Sequence, residues 1–250
     1  MADEANIEEK QKTPVAEDQV DFAQDETTAQ MIEALEGRAA FYDLLASIYF
    51  RPLTQEQIEN IAAMDLSVYA DVNEQFADGL NDITRYLRKR NTGTRQELAV
   101  DFTTSFGGAA SWKGMYATPY ESCFTSEEGF MFQESYHEVY QLFKQNGVGR
   151  AEGYDYPDDH LSFMFEFLVI MSNRTVTALR EGDRATALEN VKISQDFLQA
   201  HVLSWFDLLV ERATLLQKTR FYRGILKISK GFFLFDADVL DELRAELEEN

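Results

Sequence analysis

The sequence predicts an all-α protein, a single helical-bundle domain of about nine or ten helices. Three observations carry that prediction. Apolar residues recur at helical spacing through most of the chain beyond residue 30, and strand-like alternation is nearly absent. With only 13 Gly and 4 Pro in 250 residues, the chain lacks the punctuation that a sandwich or barrel of many short strands requires. A hydrophobic fraction of 45% supplies ample material for one core.

The elements follow in order. Residues 1–29 form an acidic tail: up to about residue 28 there are nine acids, two lysines and scarcely a large apolar side chain, which predicts disorder. Such a tail either solubilises the chain or acts as a partner-binding arm. Residues 30–250 form the helical domain. From Gln30 to Phe50, Ile32, Leu35, Phe41, Leu44, Leu45, Ile48 and Tyr49 fall at helical spacing, and Pro52 ends the run. Thr54 is placed to N-cap a short helix through Met64. A longer helix is expected over 68–90, closed by basic residues and the Asn91-Thr92-Gly93 break, and another over 94–104. Ser105–Thr125 is a Gly- and aromatic-rich loop, the longest irregular interior segment and so a place to look for function. Helices are expected again over 134–146, stopped by Gly147, and over 158–180, 184–202, 204–229 and 237–248.

The charge balance excludes several functions. Against 44 Asp+Glu stand 23 Lys+Arg, a formal net charge of -21, which repels nucleic acid and anionic lipid and attracts a basic partner. No apolar run reaches 18 residues, so no membrane insertion is expected. Met1–Gln30 has neither a basic leader nor an apolar core, and the lone Cys123 fits a reducing compartment, so the expected location is cytoplasmic. No GxxxxGK[ST] loop or strand-borne GxGxxG is present. The three histidines, His137, His160 and His201, stand on separate segments without metal-ligand spacing. A nucleophile pairing Cys123 with His137 or His160 has no supporting motif.

The most unusual stretch is YPDDHLSFMFEFLVIM, residues 156–171. Nine of the eleven residues from Leu161 to Met171 are apolar, the signature of a helix in the middle of a bundle. Asp159, Ser162, Glu166 and Asn173 form a narrow polar stripe along it. Asp158 and Asp159 are placed to cap this helix, or else to accept a cationic ligand; His160 reads as a packed first-turn histidine.

Three segments resemble one family: ATPYESCF (117–124), YPDDHLSFMFEFL (156–168) and FLQAHVLSWFDLLVERATLLQKTRFYRGILKISKGFF (197–233). In this order and inside an acidic helical chain they are similar to the TorD/DmsD/NarJ redox-enzyme maturation chaperones, over roughly residues 31–235. The resemblance implies a cytoplasmic, non-enzymatic protein. Its partner would be a molybdopterin-containing oxidoreductase catalytic subunit, bound through its twin-arginine leader or as the apo-form, which aids cofactor insertion and delays export. It implies partner-binding positions at Pro119, Tyr120, Glu121 and Ser122 and at Pro157, Asp158, Asp159 and His160, with Phe102 and Phe106 from an aromatic stretch upstream. It implies no resident cofactor or metal, though weak association with GTP or the molybdopterin cofactor belongs to the family, and it leaves open a monomer or a domain-swapped dimer. Tyr120 stands where many members have Trp, and the loop over 105–118 is Gly-rich rather than Pro-rich. Two other readings remain beside the chaperone: an adaptor that binds the folded catalytic subunit without its leader, as NarJ-like members do, and a guanine-nucleotide-binding protein or hydrolase using Asp159 and His160. The chemistry of the residues agrees with a leader receptor: carboxylates match the planar guanidinium fork, and the aromatic or Met side chains Phe102, Phe106, Tyr116, Tyr120, Phe163 and Met164 suit an apolar segment, unless they are simply core.

Overall fold

The computed structural model describes residues 17–65, 72–127, 129–151, 153 and 156–249. The elements are α1 (Glu17–Phe50), α2 (Gln55–Ala63), α3 (Glu74–Leu87), α4 (Thr94–Ser105), α5 (Ser122–Thr125), α6 (Glu134–Gln145), α7 (Leu161–Arg180), α8 (Arg184–Phe197), α9 (Ser204–Leu216) and α10 (Arg220–Glu249), with a π-helical turn, Leu198–Leu203, between α8 and α9. The all-α prediction holds: among the described residues the only β-type pairings are two isolated bridges.

Local chemistry sets many of the helix ends. Thr54 and Gln57 form a reciprocal capping box on α2, with Gln57 N donating to Thr54 Oγ1 at 3.2 Å and Thr54 N to Gln57 Oε1 at 2.9 Å. Asn73 accepts from Phe76 N to open α3, and Asp183 accepts from Thr186 N to open α8. Gly147, at φ 63°, closes α6.

Helix α7 is the axis of the bundle. Phe165, Phe167, Leu168 and Met171 are wholly buried, each contributing about 1.5–3 kcal/mol of apolar burial. It packs on α1 and α8. Glu36, just past the middle of α1, pairs with Arg180 at the end of α7, while Phe50 at the end of α1 meets Phe163 in the first turn of α7, so α1 and α7 run antiparallel. One buried polar knot ties this pair to α10: Arg38 Nε donates to Asp236 Oδ1 at 2.7 Å, Tyr42 OH to Asp236 Oδ2 at 2.6 Å, and Arg38 Nη1 to the Leu168 carbonyl. Its lasting value is register, because a buried ion pair sets geometry more surely than it adds stability.

Helices α3 and α10 meet backbone to backbone. A Cβ on Gly79 would lie 2.7 Å from the Gly224 carbonyl oxygen, and one on Gly224 would lie 2.8 Å from that of Gly79. Only hydrogen fits at either position.

The structure departs from expectation at several helix boundaries. Helix α1 starts at Glu17, well inside the segment read as a disordered tail; no Gly or Pro interrupts residues 17–36. Residues 1–16 of that segment lie outside the described residues, as do 68–71 of the helix expected over 68–90. Helix α7 starts at Leu161 rather than Asp158. The helix expected over 204–229 is broken at Gln217–Thr219, where the buried Asp101 carboxylate accepts from Lys218 N at 2.7 Å and Thr219 N at 2.9 Å. From Arg220 the chain then runs as one helix through Gly231, a residue that serves packing against Asn73 and Phe76 and not a break. The short α5 lies inside the stretch expected to be wholly irregular.

Candidate functional site

The two motif segments of the sequence meet. Tyr120 and His160 form an antiparallel bridge; Leu161 N donates to the Pro119 carbonyl at 2.9 Å and Glu121 N to the Asp159 carbonyl at 3.1 Å. The loop ahead of α5 is thus stitched to the turn ahead of α7, although 37 positions separate Ser122 from Asp159.

Asp159 is fully buried, and its Oδ2 accepts from Ser122 N at 3.0 Å and Ser122 Oγ at 2.6 Å. It therefore caps the short α5 across the bridge. The cap of α7 is His160, whose Nδ1 accepts from Ser162 N at 3.2 Å. This corrects the assignment of Asp158 or Asp159 as the α7 cap: with Asp159 turned toward Ser122, the next residue supplies the acceptor. An Nδ1 that accepts leaves the imidazole proton on Nε2, and burial pushes the His160 pKa down to about 3. Aromatic rings surround it, Tyr120 at 4.9 Å, Tyr156 at 5.7 Å, Phe163 at 5.9 Å and Phe50 at 6.2 Å between centroids.

Glu121 faces the other way. Its carboxylate lies 3.1 and 3.2 Å from Nδ1 of His201, on the π-helical turn, and Trp205 Nε1 donates to the His201 carbonyl. His201 is therefore no isolated histidine: the His-x-x-x-Trp segment docks on the Pro-Tyr-Glu-Ser turn. A π turn re-aims side chains within a helix and often marks such a place. Trp205 in turn stacks on Phe124, and Arg212 lies over the Phe124 ring as well, with its Cζ 4.5 Å from the centroid.

Asp158 is buried and paired with Arg150, Nε to Oδ1 at 3.0 Å. Three carboxyls, Glu121, Asp158 and Asp159, thus gather at this junction, and burial raises the pKa of each above the ordinary carboxylate range, opposed by His201, Arg150 and Ser122 respectively. Asp158 Oδ2, Asp159 Oδ1 and Ser162 Oγ are buried without a hydrogen-bond partner among the described residues. Oxygens left so are acceptors waiting for a donor.

Beside this junction lies a cleft of about 230 Å³ between α7 and the end of α6, walled by Phe143, Val148, Arg150, Phe163, Phe167 and Ile170 with Glu166 among its lining. Partial burial and Asp43 hold the Glu166 carboxyl above its ordinary range. The polar stripe of α7 is consequently divided: Asp159 and Ser162 are buried at the junction, whereas Glu166 and Asn173 reach the surface.

Phe102 and Phe106 are not brought to this junction. Both are buried, packed on each other and on Tyr222, with Phe106 also against Tyr49. Met164 is core as well, while Tyr116 is exposed. Cys123 is buried, its thiol pushed up by burial and partnered by Thr118 rather than by an imidazole. Among the described residues no group of three or more His, Cys, Asp and Glu side chains is placed to hold a metal ion. Sequence reasoning passed over Arg150, Tyr156 and the cleft. It also passed over an exposed apolar strap, Phe130, Met131 and Phe132, where Phe132 holds a strained φ of 62°.

Residues 70–211 match the model of the nitrate reductase delta subunit family. That range spans both motif segments, α7 and the π-helical turn. The chain belongs to the nitrate reductase delta subunit family. The resemblance to the TorD/DmsD/NarJ chaperones is borne out by the relatives as well. A chaperone protein TorD of Vibrio vulnificus strain YJ016 is 28% identical over 214 residues, covering 82% of this chain and 95% of its own length. The chaperone protein TorD of Vibrio cholerae El Tor Inaba N16961 is 26% identical over 219 residues, covering 84% and 95%. That of Shewanella loihica is 21% identical over 216 residues, covering 83% and 94%. Each alignment covers nearly the whole length of the relative and more than four fifths of this chain. Among the described residues, no helix is long and apolar enough to cross a membrane.

Proposed function

We propose that this chain is a cytoplasmic chaperone, not an enzyme, which holds the twin-arginine leader or the apo-form of a molybdopterin oxidoreductase subunit while its cofactor is inserted. Residues 30–250 are its working body. The observation that carries the reading is the pair of buried, unpartnered carboxylate oxygens, Asp158 Oδ2 and Asp159 Oδ1, beside an apolar cleft. A leader offers the complementary set: guanidinium donors followed by an apolar segment. The net charge of -21 favours encounter with such a cation. Pro119, Tyr120, Glu121, Ser122, Pro157 and His160 act here by holding the acids in place. Phe102 and Phe106 support the core beneath.

Calorimetric titration of the full chain with the leader of a molybdopterin oxidoreductase encoded beside it tests the reading. Binding that weakens when both arginines become lysine, and again in an Asp159→Asn variant, is the expected result. Indifference to every leader, with capture of the mature subunit, refutes it in favour of an adaptor for the folded catalytic subunit. The family description, a delta subunit of nitrate reductase, is the observation that favours this second reading.

A further inference from the structure

The segment between α6 and α7 already places an arginine in the acidic junction. Arg150 Nε lies 3.0 Å from Asp158 Oδ1, and Arg150 Nη1 donates to the Tyr156 carbonyl at 2.6 Å. The two side chains differ sharply in cover: 5% of Asp158 is exposed against 36% of Arg150. A carboxylate buried so deeply is ordinarily met by a cation equally well held. Here the cation reaches in from solvent, and Asp158 Oδ2 has no hydrogen-bond partner among the described residues. A guanidinium fork can serve both oxygens of a carboxylate at once, and Arg150 engages only one because its other arm is turned to Tyr156. Arg150 also lines the apolar cleft, next to Phe163, Glu166 and Phe167.

We propose that Asp158 and the Tyr156 carbonyl form a guanidinium subsite which Arg150 fills in the free protein and which an arginine of the client segment takes over. The proposal rests on the leader-binding reading above and names the residue that the leader must displace. The exchange is one guanidinium for another, so Asp158 is never left bare and the local charge is conserved. Lysine makes a poor replacement, since a point charge cannot span the carboxylate and the carbonyl as the planar fork does. As Arg150 leaves, the wall of the cleft beside Phe163 and Phe167 opens to the residue adjoining the incoming arginine.

The test is titration of the wild type and an Arg150→Gln variant with an Arg-Arg leader peptide and its Lys-Lys counterpart. Loss of a half-exposed competitor tightens binding of the Arg-Arg peptide by about fivefold and that of the Lys-Lys peptide by less. An Asp158→Asn change weakens the Arg-Arg peptide in both backgrounds. A second measurement needs no substitution: on saturating the wild type with the Arg-Arg peptide, the Arg150 Nε–H resonance moves to the position of a free arginine. A variant that binds no tighter, or tightens equally for both peptides, overturns the proposal, as does an Arg150 resonance unmoved at saturation. Wild type that binds the leader with either of these results loses this inference alone. Wild type and variant that both ignore the leader remove the functional reading, and the subsite with it.

Discussion

Replacing His160 by asparagine isolates one buried proton site by its effect on acid stability. His160 is 4% exposed, its Nδ1 accepts from Ser162 N, and burial lowers its pKa from an ordinary 6.5 to about 3. The folded state therefore refuses a proton that the unfolded chain accepts below pH 6.5. The stability contributed by the neutral ring is intact above pH 6.5 and is lost progressively as pH falls through the window from 6.5 to about 3. At 1.36 kcal/mol per pKa unit, the loss between pH 7 and pH 5 is about 2 kcal/mol. Asparagine is a good N-cap, so the variant keeps an acceptor for Ser162 N while losing the titration. Glu121, Asp158 and Asp159 act with the opposite sign: their raised values contribute stability present at low pH and lost as pH rises through them. Those three titrate in both proteins, so the difference between the two stability curves belongs to residue 160. Urea unfolding at intervals from pH 7.5 to pH 5 provides the curves. The variant is expected to be the less stable at pH 7.5, because ring contacts are gone, and to close the gap by about 2 kcal/mol at pH 5. Parallel curves across that range would refute the assignment of a buried, neutral imidazole.

Further expectations follow from the same contacts. Asp159→Ala leaves Ser122 N and Oγ without their acceptor and should lower unfolding free energy by about 3 kcal/mol, read by urea titration at pH 7, with amide exchange at Ser122 rising first. Asp236→Ala strands the buried Arg38 and Tyr42 and should cost about 3–5 kcal/mol, whereas the paired change of Arg38 and Asp236 to Met and Leu should recover much of it. Gly79→Ala forces its Cβ to within 2.7 Å of the Gly224 carbonyl; thermal melting should report a loss of about 1–3 kcal/mol, which Ile83 and Ile228 side-chain shifts cannot relieve because the clash is with backbone. Thr54→Ala removes one half of the α2 capping box, for a loss of about 1 kcal/mol by the same assay.

Sequence legibility followed range of interaction. The fold class was readable because a helix reveals itself within a few residues: the Thr54 cap, the Gly147 stop and the apolar run of α7 each depend on neighbours no more than a turn away. Boundaries set from a distance were not. The break before α10 is made by Asp101, 117 positions from Lys218, and no local pattern at 217–219 announces it. The same holds for the site. Its residue types stood out, but the partner of each did not: Asp159 serves Ser122 rather than its own helix, Glu121 faces His201, and Asp158 faces Arg150. Aromatic content pointed at Phe102 and Phe106, which are core; helical spacing alone does not tell a buried ring from a groove-lining one.

The junction has a consequence for how its variants are read. Asp159, Glu121 and His160 each carry a contact that holds α5, the π-helical turn or the start of α7, so substituting any of them perturbs the scaffold along with the acids. Arg150 is different in kind. Its side chain reaches the surface, it caps no helix, and its pairing with Asp158 is the contact that a foreign guanidinium can reproduce. A change at Arg150 should therefore tighten leader binding while costing less stability than a change at Asp159, which should lower both together. If instead Arg150→Gln and Asp159→Ala lose stability to the same degree, the junction is a structural lock throughout, and the leader must be held elsewhere on the molecule.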